Sequence, residues 1–145
     1  MKLRAVQPGD HTQWLGLYRQ YAEFYRVPMS EQPSDTVWGW LHDPDHVLEG
    51  WVAEESGKLW GLAHFRTMPN PLRGVEVGFL DDLFVSPEAR GKRVGEALIM
   101  HLKALAQERG WPKIRWITAD DNYRARTLYD RVAQKTQWNV YEVQL

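Results

Sequence analysis

The chain has 145 residues, 43% of them hydrophobic, and a formal net charge of -1 from 18 basic and 19 acidic side chains. This length can bury one substantial core but not two, so we expect a single domain over residues 1–145. Because the charges balance, the chain has no overall positive electrostatic potential that would attract nucleic acid or an anionic membrane. The absence of cysteine excludes disulfides, thiolate zinc sites and cysteine nucleophiles. Without a signal peptide or a long apolar run, the sequence predicts a cytoplasmic protein with no nucleic-acid or membrane partner.

The N-terminal half predicts one strand, two helices and then three strands. Residues 2–7 alternate like a strand, and Pro8-Gly9-Asp10 then starts a helix with an aromatic stripe. A short helix is predicted at about 34–41. Three strands joined by short connections follow at 47–54, 58–68 and 75–85. Consecutive strands of this kind favour an antiparallel meander.

The C-terminal half alternates helix and strand. The pattern predicts a helix at 93–109, a strand at 113–118, a helix capped by Asn122 and a final strand at 138–144. A strand, helix, strand order implies two neighbouring parallel strands joined by a right-handed crossover. The predicted fold class is therefore α/β, or α+β, with a mixed sheet flanked by helices.

A basic, glycine-containing loop, PEARGKRVGEAL at 87–98, precedes the long helix. Free backbone N–H groups and the helix dipole at such a start suit a phosphate, and missing Cβ atoms leave room for it. The alternative is a loop that only starts a helix, because the spacing of its glycines fits neither a Walker loop nor a dinucleotide fingerprint. Its glycines and basic side chains are Arg90, Gly91, Lys92, Arg93 and Gly95.

LFVSPEARGKRVGEALI, at 83–99, resembles the acyl-CoA-binding motif of the GNAT superfamily of N-acetyltransferases, in which Arg/Gln-x-x-Gly-x-Gly/Ala follows a strand and opens a helix. Arg90 and Gly95 match the ends of that motif, and Arg93 stands where the central glycine is usual. NYRARTLYDRVA, at 122–133, resembles the later Asn-x-x-Ala-x-x-Leu-Tyr signature. The resemblance implies a GNAT-like sheet whose parallel strands splay around acyl-CoA, with acetyl-CoA as cosubstrate and no metal.

The resemblance also implies how acetyl-CoA is held. Strand residues 83–85 would offer backbone groups to the pantetheine arm, and residues 90–95 would wrap the diphosphate. The cofactor-binding residues predicted in this way are Leu83, Phe84, Val85, Arg90, Gly91, Lys92, Arg93, Val94, Gly95, Asn122 and Arg124.

Tyr129 matches the tyrosine of the later signature, and the resemblance implies that it protonates the leaving sulfur. A phenol with a pKa near ~10 would face a thiol with a pKa near ~8.5. Tyr129 also shares a helical stripe with Ala125, Leu128 and Val132, so a core tyrosine is the alternative.

Two adjacent acids, Asp81 and Asp82, interrupt an apolar strand and are further catalytic candidates. Strand alternation predicts that their carboxylates project to opposite faces. FLDDLFV resembles an LEDFFV-like stretch of polyamine acetyltransferases, in which the acid at the Asp81 position is a base candidate, so we favour Asp81 as base or amine anchor. Acids that only face water or form salt bridges are the alternative, and Glu31 and Glu76 are weaker candidates for binding cations.

The predicted function is that of an acetyl-CoA-dependent N-acetyltransferase acting on a primary amine of a small molecule, of polyamine or amino acid type. The resemblance is nearest to the polyamine and small-amine branch. Two alternatives are a non-catalytic acyl-CoA-binding sensor or interaction module, and a peptide N-terminal acetyltransferase. The HDPDH stretch at 42–46 is typical of a turn rather than of a metal site.

The C-terminal end departs from the family pattern. QKTQW, at 134–138, replaces the usual Gly-Phe after Leu-Tyr and resembles the corresponding stretch of dimeric relatives. An alternating strand from Trp138 onward would leave a sheet edge that needs a cover. We therefore expect a homodimer with this strand at the interface, rather than a strand that only completes the sheet of its own chain.

Overall fold

The structure, a computed structural model, describes residues 1–28 and 31–145, without the side chains of Glu31 and Gln32. The cation-binding prediction for Glu31 therefore lies outside the described side chains. The strands are β1 (Lys2–Ala5), β2 (Leu48–Glu55), β3 (Lys58–Asn70), β4 (Val75–Val85) and β5 (Ile114–Arg115). The helices are α1 (His11–Phe24), α2 (Glu31–His42), α3 (Val94–Arg109) and α4 (Tyr123–Val132), with short 3-10 turns at Pro8–Asp10 and Pro87–Ala89.

The five strands form one mixed sheet in the order β1-β2-β3-β4-β5. The first four are antiparallel neighbours, and β5 lies parallel to β4, with Gly78 opposite Ile114 and Phe79 opposite Arg115. The predicted mixed sheet with an antiparallel meander and a parallel pair is thus confirmed. No helix among the described residues is both long enough and apolar enough to span a bilayer.

The helices cover the two faces of this sheet. On one face, Trp14 and Leu17 of α1 pack against Val52 and Leu62, with α2 alongside. On the other face, the apolar stripe of α3 packs against the sheet, with α4 at its margin, through Val94, Leu98, Ile99, Leu102 and Ala106. Both helix layers therefore reach the C-terminal end of β4, where the candidate site lies.

A bulge interrupts the pairing of β3 with β4. His64 is opposite Asp82 and Phe65 is opposite Leu80, so Asp81 is an extra residue with no partner across the strand pair. Such an insertion breaks the alternation of side chains and bends the strand. Consistent with this, Leu80 and Leu83, three residues apart, both pack in the α3-side core. The prediction that Asp81 and Asp82 project to opposite faces is therefore wrong.

Just before the bulge, β4 and β5 separate. Their pairing ends at Phe79 and Arg115, so the predicted strand at 113–118 is shortened to two residues. Among the described residues, none pairs with this side of β4 beyond Phe79, and the bulge at Asp81 bends the strand near this point. The divergence opens a cleft between the two parallel strands.

The final strand predicted at 138–144 does not form. Residues 133–145 adopt no regular secondary structure. Large apolar side chains of this tail are solvent-exposed, among them Trp138 at 73%, Tyr141 at 91% and Val143 at 86%. A strand needs a neighbour to complete its backbone hydrogen bonds, and β5 is too short to provide one.

Candidate active site

A cavity of about 870 Å³ occupies the cleft beside the C-terminal end of β4. Its walls come from β4, from the loop and first turn of α3, from α4 and from the end of α1. The predicted cofactor-binding residues that line it are Leu83, Phe84, Val85, Arg90, Gly91, Arg93, Val94, Gly95, Asn122 and Arg124. Segments far apart in the chain thus converge on one space.

Backbone donors at the start of α3 face this region without partners inside the helix. The Arg93 carbonyl accepts a hydrogen bond from the Ala97 N–H at 3.0 Å. The N–H groups that precede Ala97 in the first turn of α3 therefore have no acceptor within the helix. Gly91 and Arg93 both adopt left-handed backbone, with φ of 87° and 56°. Together with the Arg90 and Arg93 side chains, these donors form a site suited to a phosphate or diphosphate.

Lys92 is the one predicted cofactor-binding residue that does not line the cavity. Its ammonium pairs with Glu55 at 3.1 Å and lies 4.7 Å from the ring centroid of Trp60. The left-handed residues on either side turn its side chain toward β2 and β3, while Arg90 and Arg93 remain on the cavity wall.

A second cavity, of about 790 Å³, adjoins the first. Tyr21 and Tyr25 line both, so the two spaces meet at these side chains of α1 and the turn after it. The other residues around the second cavity are Tyr18, Ala22, Val27, Asp81, Ile117, Thr118, Ala119, Val140, Tyr141, Glu142 and Gln144. A molecule in the first cavity and a molecule in the second could therefore approach each other directly.

The profile of the acetyltransferase (GNAT) family matches residues 14–133, a span that includes both cavity-forming motifs. The chain belongs to the GNAT family. It is 33% identical over 142 residues to the D-amino-acid N-acetyltransferase HPA3 of Saccharomyces cerevisiae, covering 97% of this chain and 88% of that protein. It is 26% identical over 138 residues to the thialysine N-epsilon-acetyltransferase of Bos taurus, covering 88% and 79% of the two chains.

Among solved structures, the ribosomal-protein-alanine N-acetyltransferase from Brucella melitensis superposes with a TM-score of 0.83. The two sequences are 26% identical, and the match covers 100% of each chain. As a GNAT protein with named N-acetyltransferases among its relatives, the chain is an acetyl-CoA-dependent acyltransferase.

Tyr129 lies in the first cavity of this GNAT fold, on α4. Its ring packs edge-on against Trp116, with centroids 5.4 Å apart. Burial, and to a smaller extent Tyr25, raises the pKa of Tyr129 to about 12. The phenol therefore keeps its proton at neutral pH and is available as a hydrogen-bond donor in the cavity.

Asp81 and Asp82 occupy different environments on the α1 side of the sheet. Asp81 lines the second cavity and pairs with Arg66 at 3.0 Å. Burial raises the pKa of Asp81, although the hydrogen bond from Arg66 acts in the opposite direction. Asp82 accepts hydrogen bonds from His64 and Tyr18 and lines neither cavity. Among the weaker candidates, Glu76 is exposed and lines neither cavity.

The sequence patterns do not indicate four residues at the second cavity or next to it: Tyr18, Tyr21, Tyr25 and His64. The α1 tyrosines belong to a stripe that also suits a helix packed on a core, so their periodicity carries no functional signal. Their hydroxyl groups are the feature that could have indicated a polar site, since a purely apolar contact would not require several phenols on one helix. His64 is likewise a polar residue in an otherwise apolar part of β3.

Within the described residues, no group of three or more His, Asp and Glu side chains is placed to hold a metal ion. The HDPDH stretch ends α2 and forms a turn in which the Asp45 N–H donates to the Asp43 carboxylate at 2.9 Å. His46 stacks on Trp40, with ring centroids 4.8 Å apart.

Arg93→Gly should stabilise the fold and weaken acetyl-CoA binding. A non-glycine residue in left-handed backbone destabilises the folded state by roughly 1–2 kcal/mol. Glycine removes this strain but loses more conformational entropy on folding, so we expect the free energy of unfolding to rise by about 0.5–1 kcal/mol. Loss of the guanidinium should lower affinity for acetyl-CoA about three- to tenfold, more at low salt. Denaturant unfolding and calorimetry measure the two effects.

Arg26→Gly is the matched control, because Arg26 has the same φ of 56° and lines neither cavity. It should gain similar stability with unchanged affinity. Equal affinities of the Arg93→Gly variant and the parent chain would show that the Arg93 side chain does not contact the cosubstrate.

Proposed function

We propose that this GNAT protein transfers the acetyl group of acetyl-CoA to a primary amine of a small cationic molecule. The observation that carries the proposal is the junction of the two cavities at Tyr21 and Tyr25. The second cavity presents the carboxylates of Asp81 and Glu142 and aromatic rings, and none of the described residues that line it is a Lys or Arg. Carboxylates and tyrosine faces both favour an ammonium over an anion.

Acetyl-CoA would lie in the first cavity with its diphosphate at the start of α3 and its pantetheine arm along residues 83–85 of β4. The thioester would then reach the junction. The neutral amine nitrogen attacks the thioester carbonyl, a C–N bond forms, and the C–S bond breaks to release the CoA thiolate. The nitrogen then loses one proton to solvent, and the thiolate takes up one proton from solvent. Direct attack in a ternary complex requires no covalent enzyme intermediate, and its gains come from proximity and electrostatic stabilisation.

Tyr129 would act on the departing sulfur. Because its pKa is raised to about 12, transfer of the whole proton to a thiolate whose conjugate acid has a pKa near ~8.5 is unfavourable. A hydrogen bond from the phenol to the developing thiolate has no such penalty and stabilises the charge as the C–S bond breaks. The raised pKa thus favours donation of a hydrogen bond over complete protonation.

The relatives' names support small amines as acceptors. They include an enzyme named for D-amino acids and an enzyme named for thialysine, which carries a side-chain amine. A panel of a polyamine, a diamine, D- and L-amino acids and a peptide with a free N-terminus separates the classes by kcat/KM. We expect polyamines or diamines to rank first, because the second cavity presents carboxylates. A preference for the peptide would replace this proposal by N-terminal acetylation.

Asp81→Asn should raise the KM for the amine at least about tenfold, because a charged hydrogen bond to the ammonium is lost. Affinity for acetyl-CoA should not change, since Asp81 lines only the second cavity. Steady-state kinetics with each substrate varied in turn measures both. Glu76→Gln, on the same strand but outside both cavities, should match the parent chain. An unchanged amine KM in Asp81→Asn would remove Asp81 as the anchor.

We also propose that the protein is a two-fold homodimer whose interface includes the chain from Trp138 onward. The exposed apolar side chains of this tail, and the free edge beside the two-residue β5, support the proposal because each leaves surface that a second copy could cover. Val140, Tyr141 and Glu142 also line the second cavity, which links assembly to the acceptor site.

A chain ending at Gln137 should be monomeric and should bind the amine more weakly, while its affinity for acetyl-CoA stays close to that of the intact chain. Light scattering on both chains measures the assembly, and kinetics measures the binding. Either a monomeric intact chain or a truncated chain that remains dimeric would contradict the proposed interface.

A further inference from the structure

His64 is fully buried in β3, yet two hydrogen bonds connect it to a residue that lines the second cavity. The Trp14 Nε1–H donates to His64 Nε2 at 2.9 Å. His64 Nδ1 lies 2.8 Å from Asp82 Oδ2, and the Tyr18 hydroxyl donates to the same Asp82 oxygen at 3.3 Å. A continuous polar chain therefore runs from the core beneath α1 to Tyr18 on the cavity wall.

This arrangement determines which ring nitrogen of His64 carries the proton. An indole N–H can only donate, so His64 Nε2 must accept the hydrogen bond from Trp14. The proton of the neutral imidazole then resides on Nδ1, from which it is donated to the Asp82 carboxylate. Trp14 thus fixes the tautomer, and the tautomer fixes the position of Asp82.

Asp82 in turn orients the phenol of Tyr18 on α1. Burial first, and then the charge of Asp82, raises the pKa of both Tyr18 and Tyr21. Both phenols keep their protons, and the Tyr18 hydroxyl donates a hydrogen bond to Asp82. A phenol oxygen that donates in one direction still has lone pairs for an N–H donor from another direction. Tyr18 lines the second cavity, and Tyr21 lines both.

We propose that His64 is a positioning residue that holds Asp82 behind Tyr18, so that the Tyr18 oxygen receives an N–H of the acceptor amine and directs its nitrogen toward the thioester. This role rests on the proposed function. As the C–N bond forms, the nitrogen becomes positively charged. The Asp82 carboxylate, acting through Tyr18, stabilises that charge without having to reorganise.

Two variants separate the two hydrogen bonds of His64. Asparagine places its side-chain NH2 near the position of Nδ1, so His64→Asn keeps a donor to Asp82 and loses the acceptor for Trp14. Glutamine places its amide near the position of Nε2, so His64→Gln keeps the acceptor for Trp14 and loses the donor to Asp82. Each variant loses one buried hydrogen bond, and a purely structural His64 would therefore give similar losses of stability and activity in both.

We expect His64→Asn to keep kcat within about threefold of the parent chain and His64→Gln to lower kcat at least about tenfold, with similar drops in Tm and unchanged acetyl-CoA affinity. Nitrogen-15 NMR of the parent chain supplies a second measurement that needs no variant, and should show His64 as the Nδ1–H tautomer at neutral pH. Equal kcat values in the two folded variants, or an Nε2–H tautomer, would overturn the inference. A parent chain that acetylates no amine would overturn the proposed function. An active parent chain whose two His64 variants have equal kcat values would overturn this inference alone.

Discussion

Gly95→Glu should abolish measurable binding of acetyl-CoA. A Cβ at position 95 would lie 3.3 Å from Leu128 Cδ2 and 3.6 Å from Val85 Cγ2, both atoms of residues that line the first cavity. The added carboxylate would also face the diphosphate that we place at the start of α3. Two like charges about 4 Å apart repel by about 4 kcal/mol at an effective dielectric constant of ~20, which weakens binding about a thousandfold.

Calorimetry with acetyl-CoA measures this loss, and two control variants separate its causes. Gly95→Gln adds the same bulk without charge and should bind more tightly than Gly95→Glu. Gly16→Glu places the same residue at an exposed helical glycine whose Cβ would meet no atom within 4 Å, and it should bind like the parent chain. Parent-like binding by a folded Gly95→Glu variant would show that the diphosphate lies elsewhere.

Tyr129→Phe should lower kcat by about 10²- to 10³-fold while leaving acetyl-CoA affinity unchanged. The substitution removes only the hydroxyl, and the ring can keep its edge-on contact with Trp116. An interaction made only as the C–S bond breaks should lower kcat and kcat/KM equally. Steady-state kinetics with calorimetry on the same samples distinguishes this result from a loss of binding.

Tyr123→Phe is the matched control for Tyr129→Phe. Tyr123 begins the same helix, is 72% exposed and lines neither cavity, so its variant should turn over like the parent chain. If Tyr129→Phe also keeps the parental kcat, Tyr129 is a core tyrosine that happens to border the cavity.

The part of the first cavity formed by residues 83–95 could be predicted from the sequence because it comes from one continuous stretch. One strand, one loop and one helix start supply residues 83–95, and local rules for helix termini and glycine already describe such a unit. The left-handed backbone at Arg93 explains why glycine is the usual residue at this point of the motif. The Lys92 side chain could not be placed, because its partner Glu55 lies 37 residues earlier in the chain.

The second cavity could not be predicted because it depends on tertiary contacts. The bulge that brings Asp81 and Asp82 to the same side of the sheet is a property of strand register, which the period of hydrophobic residues in one strand does not determine. Likewise, the hydrogen bond between Trp14 and His64 joins residues 50 positions apart, so no local pattern predicts it. The alternating tail after Gln137 has the residues of a strand, but a strand forms only where a neighbouring edge is available.

We propose that acetyl-CoA and a small amine meet where the two cavities join, and that the acetyl group passes directly between them. The most direct test is to incubate the intact protein with acetyl-CoA and a polyamine, and to quantify free thiol and acetylated amine in the same samples. We predict that the two products appear in equal amounts and that neither forms above background in the Tyr129→Phe and Gly95→Glu variants at matched times. A protein that binds acetyl-CoA but yields no acetylated product with any amine of the panel would contradict the claim and would be a cosubstrate-binding module instead.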